Sequence, residues 1–592
     1  MTLAHDPEFD SYDPITFAVI KSALDTIVDE MAYNVMRTAR SHIVRDVLDY
    51  STTLCDRYGN IVTQARTVAL HLGAVPDAIA AVLARYGDDF APGDVVIMND
   101  PYEGGMHLPD IFMFKPIFFE DRLEGFSVVV AHHCDMGGRV PGSNASDSTE
   151  VYQEGFRIPP LKLYRQGEPD ESLFRLFEKN VRVPDLVIGD LLSQYATCRM
   201  GEREYQKLLA RYGPRTVERY VAELLDYAET MTRRQIGAWP KGTYSFTDYI
   251  DGDGFTEDPI AIKVTITVRE DDLLVDFTGS APQVRGALNS TLSFVKSASY
   301  LSVRCMLDHE VPNNSGVFRC IEVHAPEGTI LNPRPPAAVA ARALTGYRIV
   351  DTMFGCLAQV VPDKVMAAGE GGNTVVCIGG YRPGTNEPFI LVDMINGAWG
   401  GRADQDGIEG VTNPSQNMSN LPVETLEARY PVRIDEFGYL PDSCGAGRYR
   451  GGLGLVRTYT LLADEALLQL RSDRTRHPPY GLFGGEPAAP TVNILNPESD
   501  IERLPGKTTR IIRRGEQLRH QQAGGGGYGH PLERDPQLVA HDVRNGKVTS
   551  DYARKHHGVV MYADFTVDIA ATETLRRSGS EEQRKWPEGQ HA

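Results

Sequence analysis

His107 and Asp110 stand three apart in the stretch NDPYEGGMHLPD, residues 99–110, directly after two glycines. That separation brings an imidazole and a carboxylate to one side of a helical turn or tight loop. Such a pair suits three roles: metal ligation, acid/base chemistry, or bonding within its own loop. His132 supplies a second imidazole from AHHCDMGG, at the end of an apolar run. Strand alternation sends His132 and His133 to opposite faces, so only one of them enters a given site. Asp49, in LDYSTTLCD, is a fourth candidate. Two imidazoles and two carboxylates from separate elements suit Zn or Mn and leave a position for water or substrate. Glu154, in the Gly- and Pro-rich YQEGFRIPP, is either an acid/base group or an exposed loop carboxylate.

Other signals point away from familiar chemistries. No G-x-x-x-x-G-K-[ST] phosphate loop occurs, and GAGRYRGG lacks the strand and helix of a dinucleotide fingerprint. Ser143 has no G-x-S-x-G elbow around it. The run RSDRTRHPPYG, with Arg471, Arg474, Arg476 and His477, fits an anion site or a solvated loop.

The elements that must position these residues follow from periodicity. ITFAVIKSALDTIVDEMAYNVMRTAR carries apolar residues at helical spacing. DYSTTLCDRYGNIVTQA reads as a hairpin turning at Tyr58-Gly59-Asn60, and AVPDAIAAVLARYG as a helix. GDVVIMND and GFSVVVAHH read as buried strands on either side of the His-x-x-Asp loop. Two helices follow, separated by Gly213-Pro214, and beyond Trp239-Pro240 the texture changes to strands interrupted by the helix TGYRIVDTMFGCLAQVVP. The expected fold is α+β, a multi-domain mixed fold with antiparallel and mixed sheets and flanking helices. Its units are an N-terminal metal-site domain (1–240), a Gly-rich β domain with an inserted helix (241–530), a C-terminal helix and strand after a glycine hinge (531–575), and a flexible tail (576–592).

At 592 residues the chain exceeds the size of a single ordinary core, and 42% apolar with 24% charged residues describes a globular protein. A net charge of −20 opposes binding to nucleic acid or an anionic membrane. No apolar run reaches the ~18 residues that span a bilayer, and an acidic start without an apolar core is unlike a secretory leader, so a cytoplasmic location is expected. The eight cysteines lack C-x-x-C spacing, which indicates buried thiols rather than a disulfide framework.

Read together and in order, DPITFAVIKSALDTIVDEMAYNVMRTARS, LDYSTTLCDRYGNIVTQA, HLGAVPDAI, GDVVIMNDPYEGGMHLPDI, AHHCDMGGRVPGS, YQEGFRIPPLKL and GGGGYGHPLERDPQLVAHDVRNGKVTSDYARKHHGVV resemble the hydantoinase B/oxoprolinase family. The resemblance runs from about residue 13 to residue 562. It implies the β subunit of an ATP-dependent cyclic-amide hydrolase that opens a lactam, hydantoin or 5-oxoproline ring. A hydantoinase A-type α subunit would bind ATP and Mg and phosphorylate the amide oxygen, in an α2β2 assembly. The family's metal ligands fall on Asp49, His107, Asp110 and His132, with Zn or Mn as the metal, and Glu154 or His133 would move protons. A subunit of an acetone- or acetophenone-type carboxylase is the alternative, and a structural subunit with a closed metal site is another. Thr52, Thr53 and Cys134 depart from the pattern of many relatives and would alter the surroundings of the ligands.

Overall fold

The structure is a computed structural model that describes residues 13–370 and 374–583. The acidic start precedes them, and the last part of the expected tail lies after them. The chain opens with the helix Pro14–Thr38, capped by Asp13, whose carboxylate accepts from the Ile15 and Thr16 amides. Its buried residues, Ile20, Leu24, Ile27, Val28, Met31 and Val35, follow the 3.6-residue period.

A seven-stranded sheet comes next: β1 (Tyr50–Asp56), β2 (Ile61–Gln64), β3 (Val95–Met98), β4 (Asp110–Phe119), β5 (Arg122–His132), β6 (Leu161–Arg165) and β7 (Glu168–Pro169), in the order β2-β1-β5-β4-β3-β6-β7. β4 is not among the strands expected from the sequence, and Pro116 inside its apolar run is an objection to a central strand. The geometry removes that objection. β3 pairs with β4 at Phe112, Met113 and Phe114, so Pro116 lies beyond the stretch where β3 would need its N–H. The helix Pro184–Tyr212 packs on β4 and β5, where the Gln194 amide donates to the Ile111 carbonyl at 2.9 Å.

Beyond the helix Pro214–Gly237, a second sheet contains β8 (Gly242–Ile250), β9 (Ile260–Val268), β10 (Leu273–Asp276) and β11 (Ile321–His324), in the order β11-β10-β9-β8. Strict alternation in IAIKVTITV buries Ile260, Ile262, Val264, Ile266 and Val268 on one face of β9. The helix Arg342–Leu357 packs against β8 and β9 and is buried along its whole length. The remaining strands are β12 (Thr374–Tyr381), β13 (Pro388–Ile395), β14 (Val432–Tyr439), β15 (Leu455–Leu461), β16 (Glu465–Arg471), β17 (Val492–Leu495), β18 (Glu502–Leu504), β19 (Lys507–Arg513) and β20 (Gln517–Gln521). They form two antiparallel sheets, β13-β12-β16-β19 and β14-β15-β20-β17-β18. The architecture is thus α+β with four sheets, and one contiguous apolar core extends from Ile20 to Leu518.

The C-terminal region differs from expectation in three respects. The glycines at 524–527 form a packed node rather than a hinge: a Cβ on Gly525 would lie 2.0 Å from the Trp399 carbonyl oxygen, and one on Gly526 2.0 Å from that of Tyr480. No strand follows the helices Pro536–Arg544 and Ser550–His557 among the described residues; instead Val559 joins a small apolar cluster with Cys444, Ala446 and Leu453. The expected tail from Arg576 begins inside the helix Ile569–Gln583, anchored where the Arg576 guanidinium donates to the carbonyls of His557 (2.9 Å) and Arg534 (2.7 Å). All eight cysteines are unpaired and seven are buried. No helix among the described residues is long and apolar enough to cross a membrane.

Candidate metal centre

Three adjacent strands of the first sheet bring three acidic or imidazole side chains to one end. In the antiparallel register Asp110, the first residue of β4, lies directly opposite His132, the last of β5. On the other side of β5, Tyr50 of β1 pairs with Ala131, and the His132 amide donates to the Asp49 carbonyl at 3.1 Å. Leu48, one residue before Asp49, holds a left-handed φ of 68°, a conformation that a branched residue keeps only under structural compulsion. His107 enters from the turn before β4, where the Asp110 amide donates to its carbonyl at 3.1 Å. The glycines in that turn permit close backbone approach: Gly104 has φ 97°, and a Cβ on it would lie 2.5 Å from the Asp77 carbonyl oxygen.

His107, Asp110 and His132 offer ligand atoms within 4.8 Å of one another. His107 Nε2 is 3.1 Å from Asp110 Oδ1 and 3.2 Å from His132 Nδ1, and His132 Nδ1 is 3.0 Å from Asp110 Oδ1. Asp49 Oδ2 lies 3.7 Å from His132 Nδ1. A third imidazole also faces this cluster. His71 Nε2 is 3.4 Å from Asp49 Oδ1 and 3.9 Å from Asp110 Oδ1. All five residues are buried.

Neighbouring groups fix two of the imidazoles as lone-pair donors. His107 Nδ1 sits 3.1 Å from the Ala340 carbonyl, which can only accept, so Nδ1 carries the proton and Nε2 is bare. Ser51 Oγ donates to the Val68 carbonyl at 2.8 Å and therefore accepts from His71 Nδ1 at 3.2 Å, which bares His71 Nε2. Burial, and then the positive charge of Arg342, push the pKa of His107 down to about 3; burial also lowers that of His71. Burial opposes ionisation of Asp110, yet the Arg342 guanidinium beside it holds its pKa well below the usual carboxylate range. Arg342 forms an ion pair with Asp110 Oδ2, and its guanidinium lies 4.4 Å from the centroid of the Phe294 ring. The pocket is also lined by Val68, Leu70, Ala343, Tyr347, Met394 and Arg471. The neutral imidazoles of His107 and His71 and the ionised Asp110 carboxylate are donors of the kind a Zn- or Mn-type site uses.

The structure thus brings Asp49, His107, Asp110 and His132 together, and places Glu154 and His133 elsewhere. His133 Nε2 lies 3.0 Å from Gln194 Oε1, on the sheet face covered by the helix Pro184–Tyr212. Glu154 is buried rather than exposed, and its Oε1 accepts from the Val339 and Ala340 amides at 2.8 Å each. Burial pushes its pKa up to about 8, and its Oε2 has no hydrogen-bond partner. Because Ala340 is also the residue that orients His107, Glu154 stands behind the site. Ser143 is structural, its hydroxyl donating to the Gly137 carbonyl at 2.8 Å.

Sequence reasoning missed His71 and Arg342. His71 lies in ALHLGAV with no second ligand type at a diagnostic spacing. Arg342 had a readable signal: it is an arginine inside the small, apolar run PPAAVAARALTG, and a charge buried there needs a partner.

The family model described as Hydantoinase B/oxoprolinase matches residues 13–531. A protein named caprolactamase subunit beta, from Pseudomonas jessenii, is 33% identical over 577 residues, spanning 95% of this chain and 99% of that protein. A crystal structure of an ATP-dependent caprolactamase from Pseudomonas jessenii superposes with a TM-score of 0.90 at 31% identity, covering 96% of this chain and 100% of that one. A nucleotide-free acetone carboxylase structure superposes with a TM-score of 0.92 over 98% of this chain and 84% of that one, at 21% identity, which is a likeness of fold alone.

Proposed function

Because the chain belongs to the hydantoinase B/oxoprolinase family, we propose that it is the metal-dependent β subunit of an ATP-dependent cyclic-amide hydrolase. Its substrate class would be lactams, hydantoins or 5-oxoproline. The observation that carries this reading is the convergence of buried carboxylates and imidazoles from the residue before β1, from β4 and β5, and from two turns beside them.

Resonance stabilises an amide carbonyl against water. Phosphorylation of the amide oxygen removes that protection and creates a leaving group. The phosphorylation is assigned to a separate ATP-binding α subunit, consistent with the beta-subunit name of the relative from Pseudomonas jessenii. Hydrolysis of the activated amide is assigned to the pocket described above.

Asp49, His107, Asp110 and His132, with His71 beside them, would hold a divalent cation. Bound there, the cation would supply Lewis acidity and lower the pKa of water at the site. The chain's own contribution is preorganisation. Ser51 and the Ala340 carbonyl aim His71 and His107, and Arg342 holds Asp110 ionised and oriented. Val68, Leu70, Phe294 and Met394 form apolar walls that limit bulk water beside the ligands.

The test is ATP hydrolysis and ring opening by the chain co-purified with its α partner, assayed on hydantoins, 5-oxoproline and simple lactams. Turnover without bicarbonate is expected on one of these. Turnover only on a ketone with bicarbonate would contradict the reading and point to a carboxylase.

A further inference from the structure

We infer that Arg471 is the receptor for an anionic phosphoryl group carried by the molecule that enters the metal pocket. This inference rests on the cyclic-amide reading, and it concerns a residue that the metal cluster does not use.

Seven arginines among the described residues are buried: Arg342, Arg348, Arg450, Arg457, Arg471, Arg474 and Arg534. Six of them have an aspartate within ion-pair distance, including Arg457 with Asp393 at 2.5 Å and Arg534 with Asp542 at 2.7 Å. Arg471 has no carboxylate within 4.0 Å among the described residues. It is 3% exposed, and it lines the pocket at the end of β16. Its NH1 donates to Asn144 Oδ1 at 3.1 Å and to the Ala340 carbonyl at 3.4 Å; its Nε is without a partner, as in all seven buried arginines, so the missing carboxylate is what sets it apart. Burial and the nearby Arg342 lower its pKa to about 10, so it remains a cation at neutral pH. An unpaired buried charge is costly, and a guanidinium fork matches the paired oxygens of a phosphate.

Charge counting at the pocket agrees. Asp49 and Asp110 balance Arg342 and Arg471, with the imidazoles serving as neutral ligands. A divalent cation would therefore leave the pocket with an excess positive charge that a phosphoryl dianion offsets. A lactam or hydantoin brings no such charge until its amide oxygen is phosphorylated. A free carboxylate, as on 5-oxoproline, is the competing anion, and it carries only one charge.

Calorimetric titration of the full metal-loaded chain with orthophosphate, and separately with acetate, tests this in the wild type, Arg471→Gln and Arg471→Lys. Arg471→Gln should weaken orthophosphate binding by a factor on the order of 30 or more. Arg471→Lys, which keeps the charge but loses the fork, should fall between the two. Acetate should bind weakly to all three, and metal content should stay at the wild-type level. Orthophosphate affinity unchanged in Arg471→Gln would overturn the inference. So would Arg471-dependent binding of acetate alone, or loss of metal from both variants, which would make Arg471 a support for the ligands. Lactam-dependent ATP turnover by the wild-type complex is measured in parallel. Ring opening with Arg471-independent phosphate binding overturns this inference alone; Arg471-dependent phosphate binding without turnover on any cyclic amide overturns the substrate reading and leaves the anion receptor standing.

Discussion

Two buried clusters of charge lie close together in the chain, and RSDR, residues 471–474, contributes to both. In one, Arg348 pairs with Asp473 at 2.5 Å and Asp248 at 3.2 Å, Arg474 pairs with Asp351 at 2.5 Å and Asp248 at 3.1 Å, and Lys507 pairs with Asp473 at 2.7 Å. Each of the three cations has an aspartate within ion-pair distance, and each aspartate a cation. In the other, the bare Nε2 atoms of His71 and His107 face Asp49 and Asp110, and Arg471 has no carboxylate within 4.0 Å among the described residues. The first cluster joins β8, the helix Arg342–Leu357 and the ends of β16 and β19, and its role is structural. In the second, the chain leaves valences open at considerable cost, which is the mark of a site built for something the chain does not itself contain.

Substitutions in the two clusters should separate these roles. Asp110→Ala removes a ligand and strands Arg342, so ring opening by the complex should fall by about 10³-fold or more, with loss of bound metal. Near-normal turnover in a folded Asp110→Ala protein would erase the distinction between the clusters. Arg474→Ala should do the reverse, with chemical denaturation showing a loss of about 3–5 kcal/mol of stability as Asp351 is left unpaired, while the folded fraction retains its metal. His71→Ala should weaken metal affinity by about 10- to 100-fold, read by competition with a chelator; no change would place His71 outside the site.

The smallest expected effect concerns Glu154. Its folded pKa of about 8 lies above the ordinary value of 4.5, so the folded state holds the proton more tightly than the unfolded one. Its contribution to stability is therefore greatest below pH 4.5 and declines as pH rises to about 8. Glu154→Gln, which can still accept from both amides, should remove that slope, so the variant's melting temperature should rise relative to wild type across this interval. Parallel pH profiles for the two proteins would refute the assignment.

How much of this could be read from the sequence depended on local pattern. Asp49, His107, Asp110 and His132 stood out because glycines and an apolar run framed their types and spacing. His71 did not, since what makes it face the cluster is Ser51, twenty residues away, together with a short turn at Ala69–Leu72. The segment before β4 read as a loop, but Asp110 begins a strand whose register with β5 sets the Asp110–His132 distance. The β-branched pair Val559-Val560 suggested a strand, yet Val559 packs among side chains instead, because a strand needs an edge to pair with. RSDRTRH by itself fits an anion site or a solvated loop equally. Burial separates its members: Arg471 faces the pocket, Arg474 belongs to the neutral network, and Arg476 is half-exposed beside Glu257.

The open valences around Asp110 are expected to hold a divalent cation. Elemental analysis of the purified chain after equilibration with Zn or Mn and desalting tests this most directly, with His107→Ala as the control. About one metal ion per wild-type chain, lost in the folded His107→Ala protein, is the predicted result. A wild-type chain that retains no metal, or a His107→Ala chain that retains as much as wild type, would contradict it.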